Sequence, residues 1–328
     1  MKKAVLAGLL AVGFLSNPVK AVEIIITSEI PITTNPSPYV TQFLEEIESK
    51  TQGAVKGKYF PASQLYNDRD ALAALGTGAV HMVWPVASRL ELFDRRTGLL
   101  SLPFGLNQTQ LTNKCFSSGL AAQMSGYLEP AGMKVLGFLR TAELVFLMRD
   151  KDIATVDDLK GKKIRVVGGK VMLDAMSSVK ASPISMAASE MSVAISQGAI
   201  DGAMTSPAGW VDVLGTSAKY GVLFPGMALA TSPVVVDKVW FDGLKAEHRA
   251  AISNVLDSII ERQWRETVEK DKALVEQMVQ KGSQYRVVEP AEVEKLRAAF
   301  KVASTEFTKA NADAMAAVER LNGTCSVN

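Results

Sequence analysis

Thr155-Val-Asp-Asp158-Leu-Lys-Gly161-Lys-Lys-Ile-Arg165-Val-Val167 is the stretch around which this chain organises itself. Thr155 followed three residues later by Asp158 is a capping-box pattern, which predicts a short helix. Gly161 stops that helix, and Lys163 to Val167 reads as a strand whose apolar neighbours carry Arg165 with them. A helix passing directly into a strand is the repeating step of an α/β fold. An arginine in that setting needs an anion. Asp158 or Glu190 of the chain itself could supply one. So could a bound ligand.

The same rhythm runs outward in both directions. Toward the C-terminus a helix is expected over Val171 to Val179, an extended piece over Pro183 to Met186, a helix capped by Ser189 and ending at Gly198, and a strand over Ala199 to Thr205. Toward the N-terminus, Val22 to Thr27 is a β-branched run. Tyr39, Phe43, Leu44 and Ile47 recur at helical spacing before Gly53, and Val55 to Phe60 returns as a strand, giving a βαβ start. A strand is expected from Ala79 to Pro85, one helix from about Gln108 to Leu128, and strands over Met133 to Leu139 and Leu144 to Met148. The restart after Thr141 marks a crossing into a second α/β lobe.

From about Lys245 to Lys281 the pattern is helical, with Ile252, Val255, Ile259, Trp264, Val268, Leu274 and Met278 along one face. That exceeds an ordinary globular helix, and its length suits an element that braces both lobes. Further helices start at Pro290 and Thr305.

Met1-Lys2-Lys3, the apolar run Ala4 to Leu15 and Val19-Lys20-Ala21 read as a secretory signal over residues 1–21. Setting aside Lys2, Lys3 and Lys20 brings the 36 Lys and Arg down to 33, against 34 Asp and Glu. With no basic patch interleaved with aromatics, nucleic acid is excluded as a partner. At 328 residues and 48% hydrophobic content the chain can bury two cores. Cys115 and Cys325 are the two cysteines. In an exported chain that even count predicts one disulfide, with two unpaired thiols as the alternative. No metal site is expected, because the histidines are His81 and His248, and His248 sits in a charged helical start that reads as surface. No cofactor motif is present. Gly-x-Ser-x-Gly, His-Glu-x-x-His and a Gly-rich phosphate loop ending in Lys-Ser or Lys-Thr are all missing, and Val166-Val167-Gly168-Gly169-Lys170 only superficially resembles a phosphate cradle.

Taken in order, several stretches resemble the solute-binding proteins of TRAP transporters, periplasmic receptors for C4-dicarboxylates, sialic acid and related acids. They are Ser63-Gln64-Leu65 with Asp68-Arg69, Ser88-Arg89, Leu102-Pro103-Phe104, Asp158 to Val166, Ser182-Pro183 to Ser189-Glu190, and Gln197-Gly198 to Asp201-Gly202. The resemblance implies an α/β, two-lobed periplasmic binding protein with a long helix spanning both lobes. Residues 22–142 with about 231–265 would form lobe I, and 143–230 with about 266–310 lobe II. Residues 311–328 would be a tail, tied by the disulfide if Cys115 and Cys325 pair. It implies a non-enzymatic periplasmic receptor that hands a small carboxylate to membrane permease subunits.

By the resemblance, Arg165 would grip the carboxylate, and a planar guanidinium suits that task by offering two parallel donors. Arg89, Thr205, Asp68, Glu29, Trp84 and Ala188 would complete the pocket, Ala188 standing where sialic acid receptors carry an aromatic residue. Val145 stands where those receptors have a second arginine, a place that Arg140 or Arg149 could compensate. Two other readings are an exported sensing subunit for a receptor kinase and an exported hydrolase.

Overall fold

The computed structural model describes residues 21 to 327, so the expected signal over residues 1–21 lies, except for Ala21, outside the described residues. Two sheets carry the fold. The first has the order β2-β1-β3-β10-β4, built from β1 (Val22–Thr27), β2 (Val55–Phe60), β3 (Met82–Val83), β4 (Met133–Glu143) and β10 (Leu229–Asp237). The second has the order β11-β9-β5-β8-β6-β7, from β5 (Val145–Met148), β6 (Lys163–Val166), β7 (Ser182–Ser185), β8 (Gly202–Thr205), β9 (Tyr220–Leu223) and β11 (Gln284–Val287). β1 pairs in parallel with β2 and β3, and β6 with β7 and β8, which is the arrangement that βαβ crossovers produce. Both sheets also hold antiparallel strands, β10 beside β3 and β4 in one and β5 beside β8 and β9 in the other.

The chain passes between the sheets three times, twice as strand crossings and once through the long helix that leads to β11. β4 runs to Glu143 and β5 begins at Val145, while the return enters the first sheet at Leu229, opposite Glu143. The ladder there slips between Ala230 and Thr231. A register shift beside two crossings is where a strand pair bends most readily.

The helix Ala246–Gln280 has 35 residues, so it is roughly 50 Å long. Ile252, Val255, Leu256 and Ile259 pack with Ile24, Ile26 and Phe43 in the first lobe's core, whereas Met278 packs with Val145, Leu147 and Trp210 in the second lobe's. Midway, Gln263 accepts from the Arg140 N–H at 2.9 Å and donates to Asn35 Oδ1 at 3.0 Å, and Trp264 Nε1 donates to the Phe138 carbonyl at 2.9 Å. Gln263 and Thr267 are fully buried on this face, while Val268 and Leu274 are only half-buried. The apolar stripe is therefore broken where the helix passes the crossing strands, because their backbone needs hydrogen-bonding partners there.

Other expectations shift locally. The helix expected over Gln108 to Leu128 breaks at Asn113, which leaves helical backbone and accepts from the Phe116 N–H at 3.1 Å. Of the strand expected over Ala79 to Pro85, only Met82–Val83 form a strand, with Val80 in an isolated bridge to Leu75. The turn after Thr155 is a single 3₁₀ turn held by Asp158, whose Oδ2 accepts from the Thr155 N–H and hydroxyl. Ser189 lies within a 3₁₀ turn, Ala188–Glu190, ahead of the helix Met191–Ser196. His248 is 8% exposed and therefore not a surface residue. Among the described residues no helix is long and apolar enough to cross a membrane.

Cys115 and Cys325 form a disulfide across 210 residues of sequence, joining the helix Lys114–Leu128 to the C-terminal helix Ala312–Cys325. The tail thereby closes over the first lobe. Replacing both cysteines by serine should cost about 2 to 4 kcal/mol of stability, since a long loop is released in the unfolded chain. Thermal melts of the variant, and of the wild-type protein with and without reductant, read this directly.

Candidate functional site

Arg165 points from β6 into the seam between the lobes and is 3% exposed. Its Nε donates to the Met186 carbonyl at 3.1 Å and its Nη1 to the Met204 carbonyl at 3.4 Å. Those carbonyls flank β6, one just past β7 and the other in β8. The side chain is thus fixed by neighbouring strands, and no carboxylate ion-pairs with it among the described residues. Asp158 is engaged with Thr155 and Lys151, and Glu190 accepts from the Ala187 N–H of its own turn. Burial lowers the Arg165 pKa to about 10; Glu29 and Glu190 pull it up, and Arg89 pushes it further down. Even so it remains charged at neutral pH.

The groups that act on Arg165 across the seam come from the first lobe. Glu29 follows β1, and its carboxylate lies 3.7 Å from Arg89 Nη2. Arg89 stands in the 3₁₀ turn Ala87–Leu92, and its Nε is buried with no partner among the described residues. Asp68, fully buried, ties these two segments together: Oδ1 accepts from the Glu29 N–H and Oδ2 from the Val86 N–H, both at 3.0 Å. Burial raises its carboxyl to about 7, reinforced by the charge on Glu29 and opposed by those two N–H groups and Arg89.

Of the remaining expected site residues, Thr205 is buried at the end of β8, directly opposite Val145 of β5. Ala188 is exposed in the turn that follows Met186. Trp84 is not brought to the seam; it is fully buried in the first lobe's core, its ring centroid 6.1 Å from that of Phe43. Neither candidate for a second arginine joins Arg165. Arg140 ion-pairs with Asp271 of the long helix, and Arg149 with Asp150 while donating to the Ile195 carbonyl.

Sequence reasoning missed the contacts that hold the lobes together. Glu91 Oε2 accepts from the Lys170 N–H at 3.1 Å, capping the helix Lys170–Ser178 from the opposite lobe. Thr34 Oγ1 donates to Asp212 Oδ2 at 2.9 Å. The Gly168-Gly169 turn that resembled a phosphate cradle is the closure seam. Both glycines have positive φ, +129° and +85°, and a Cβ on Gly169 would lie 2.6 Å from Glu91 Oε1. Only glycine satisfies the backbone and the close approach together.

Beside this seam is a cavity of about 50 Å³, lined by Ser88 and Leu102 from the first lobe, Gly168, Met172 and Met204 from the second, and Thr231 from the return crossing. The Ser88 and Thr231 hydroxyls are buried there without hydrogen-bond partners among the described residues.

Residues 30–311 match the family model described as DctP, bacterial extracellular solute-binding protein, family 7. A C4-dicarboxylate-binding periplasmic protein of Rhodobacter capsulatus is 28% identical over 230 residues, covering 66% of this chain and 65% of that protein, just under two thirds of its length. A 2,3-diketo-L-gulonate-binding periplasmic protein of Escherichia coli is 26% identical, covering 74% of each. Among solved structures, a TRAP periplasmic solute binding protein of Shewanella oneidensis with bound succinate superposes with a TM-score of 0.83 at 23% identity, over 92% of this chain and 99% of that one. The architecture is therefore that of a two-lobed solute-binding protein.

Two measurements follow from the seam. Between the usual carboxylate value near 4 and about 7, folded Asp68 holds a proton that the unfolded chain has released. Its contribution to stability is thus complete below about 4 and is lost as pH rises through about 7. Melting the protein and Asp68→Asn across this range should show a falling stability that the variant flattens. Gly169→Ala should force Glu91 away and shift the molecule toward separated lobes, seen as a larger radius of gyration by X-ray scattering.

Proposed function

The chain belongs to family 7 of the bacterial extracellular solute-binding proteins, and on that premise we propose that it is the periplasmic receptor of a TRAP transporter, taking a small organic acid between its lobes and delivering it to the membrane permease. The observation that carries this reading is Arg165, a buried guanidinium oriented by two backbone carbonyls and ion-paired with no carboxylate among the described residues. Desolvating such a cation is costly unless an anion completes it. A carboxylate meeting its free edge can accept parallel hydrogen bonds, and the strands beside β6 have already fixed the geometry.

The relatives' names support an acid as the ligand: one binds C4-dicarboxylates and another a diketo sugar acid. Val145 rather than arginine faces Thr205, so the second lobe offers one cationic anchor. Arg89 and Glu29 act on it from the first lobe, and Asp68 fastens the segments that carry them. Trp84, set in the core, takes no part in this reading, and exposed Ala188 at most borders the entrance.

Binding is coupled to movement. A cavity of about 50 Å³ holds a few waters at most. The lobes must part to admit an acid and close again over it. Closure restores the contacts of Glu91 with Lys170 and Thr34 with Asp212 and excludes water, so the ligand shifts the open–closed equilibrium by the contacts it makes only in the closed form. The closed surface is what the permease would read. The matching family is one of solute-binding proteins, so the reading is of binding rather than turnover.

A thermal-shift screen against organic acids should find a ligand, since one present at a hundredfold its Kd stabilises by about 2.7 kcal/mol. In a calorimetric titration with that acid, Arg165→Ala should lose about 2 to 5 kcal/mol of affinity, about one and a half to three and a half decades. Near-normal affinity would sink the assignment.

A further inference from the structure

The charges and orphan donors around Arg165 narrow the ligand further. Two arginines approach the seam, but Arg89 already has a counter-ion, because the Glu29 carboxylate stands 3.7 Å from its Nη2. Asp68 is a second acid on the same side. Glu190, the other carboxylate that acts on Arg165, is exposed and occupied with its own turn, where water screens it. Asp68 is spent on the Glu29 and Val86 N–H groups, so Arg165 is the arginine of the two with no ion-pair partner among the described residues, and a single negative charge on the ligand completes it.

What lies opposite that charge is equally specific. Glu29 can only accept hydrogen bonds and Arg89 can only donate them. Glu29 is half-buried, its side chain 20% exposed, and Arg89 Nε is buried with no partner among the described residues. A ligand group placed between them must donate to the one and accept from the other. A hydroxyl does both. A carboxylate accepts from Arg89 but is repelled by Glu29, and an ammonium donates to Glu29 but is repelled by Arg89.

We propose that Glu29 is a specificity-determining residue that makes this protein a receptor for hydroxy monocarboxylates and disfavours dicarboxylates: Arg165 holds the one carboxylate, and the Glu29–Arg89 pair reads a hydroxyl. This rests on the reading of the chain as a carboxylate receptor anchored by Arg165.

The test uses matched trios of acids over a range of chain lengths, in which one carboxylate is kept and the second group, at the same carbon, is a hydroxyl, an ammonium or a carboxylate. Titrated against the whole protein, the hydroxy acid of the best-binding length should exceed its dicarboxylic counterpart by about tenfold or more, since like charges brought together cost several kcal/mol. In Glu29→Gln, which keeps the size and removes the charge, that preference should shrink or reverse. The wild-type ranking stands on its own if this variant does not fold. A dicarboxylic acid bound as well as or better than the hydroxy acid, or a preference untouched in folded Glu29→Gln, overturns the assignment of Glu29 and leaves the carboxylate receptor intact. Binding of no acid in any trio, with Arg165→Ala indistinguishable from wild type in the same screen, overturns the receptor reading and this inference with it.

Discussion

The structure depends on keeping one guanidinium dry. Arg165 gives up its hydration on a strand buried among apolar neighbours, and two backbone carbonyls return part of what it loses. Those carbonyls are available because β7 and β8 flank β6 in parallel, so the sheet order is what aims the side chain. An arginine held in this way has little freedom left to lose when it meets an anion. The side chain is preorganised before any ligand arrives.

That cation would be useless on an open surface, where water and salt would screen it. The long helix and the two crossings supply the remedy. Gln263 and Trp264 fasten the helix to β4 beside the crossing, while its ends pack into different cores. The crossing strands and the helix thus join the lobes along one edge. Away from the crossings the lobes meet through contacts that include Glu91 on the Lys170–Ser178 helix and Phe104 on Phe300, while Thr34 bonds Asp212 beside Asn35 and the crossing. Asp68 gives the opposing face its own rigidity by fastening the Glu29 segment to the segment carrying Arg89.

Much of this was legible in local pattern. The β-branched run before Thr27, the glycine stops and the apolar neighbours of Arg165 are nearest-neighbour signals, and they place the strands and the cation correctly. The disulfide was expected from count and compartment, though pairing needed the tail to pack on the Lys114–Leu128 helix. Trp84 misled because a large aromatic residue after a strand looks the same in sequence whether it turns to a cleft or to a core; only Phe43, some forty residues earlier, decides between them. His248 misled for the same reason, its charged neighbours lying on the other faces of a helix that buries it. In the sequence Gly168-Gly169 signals a turn, but the close approach that requires glycine at residue 169 is that of Glu91 from the other lobe.

The sequence by itself determined the α/β class, the crossing near Thr141 to Val145, the long brace and the presence of an anion-seeking arginine at residue 165. Those follow from period, length and the cost of burying a charge, all properties of short stretches of chain. Tertiary structure alone decided that Glu29 opposes Arg89, that Arg140 and Arg149 are spent on Asp271 and Asp150, and that Glu91 latches the Lys170 helix. Charge complementarity acts through space over a few ångströms. Arg149 and Asp150 are adjacent in the chain, but folding of the first lobe is what brings Glu29 to Arg89 and the long helix what brings Asp271 to Arg140, and only Glu91 and Lys170 need the two lobes to meet.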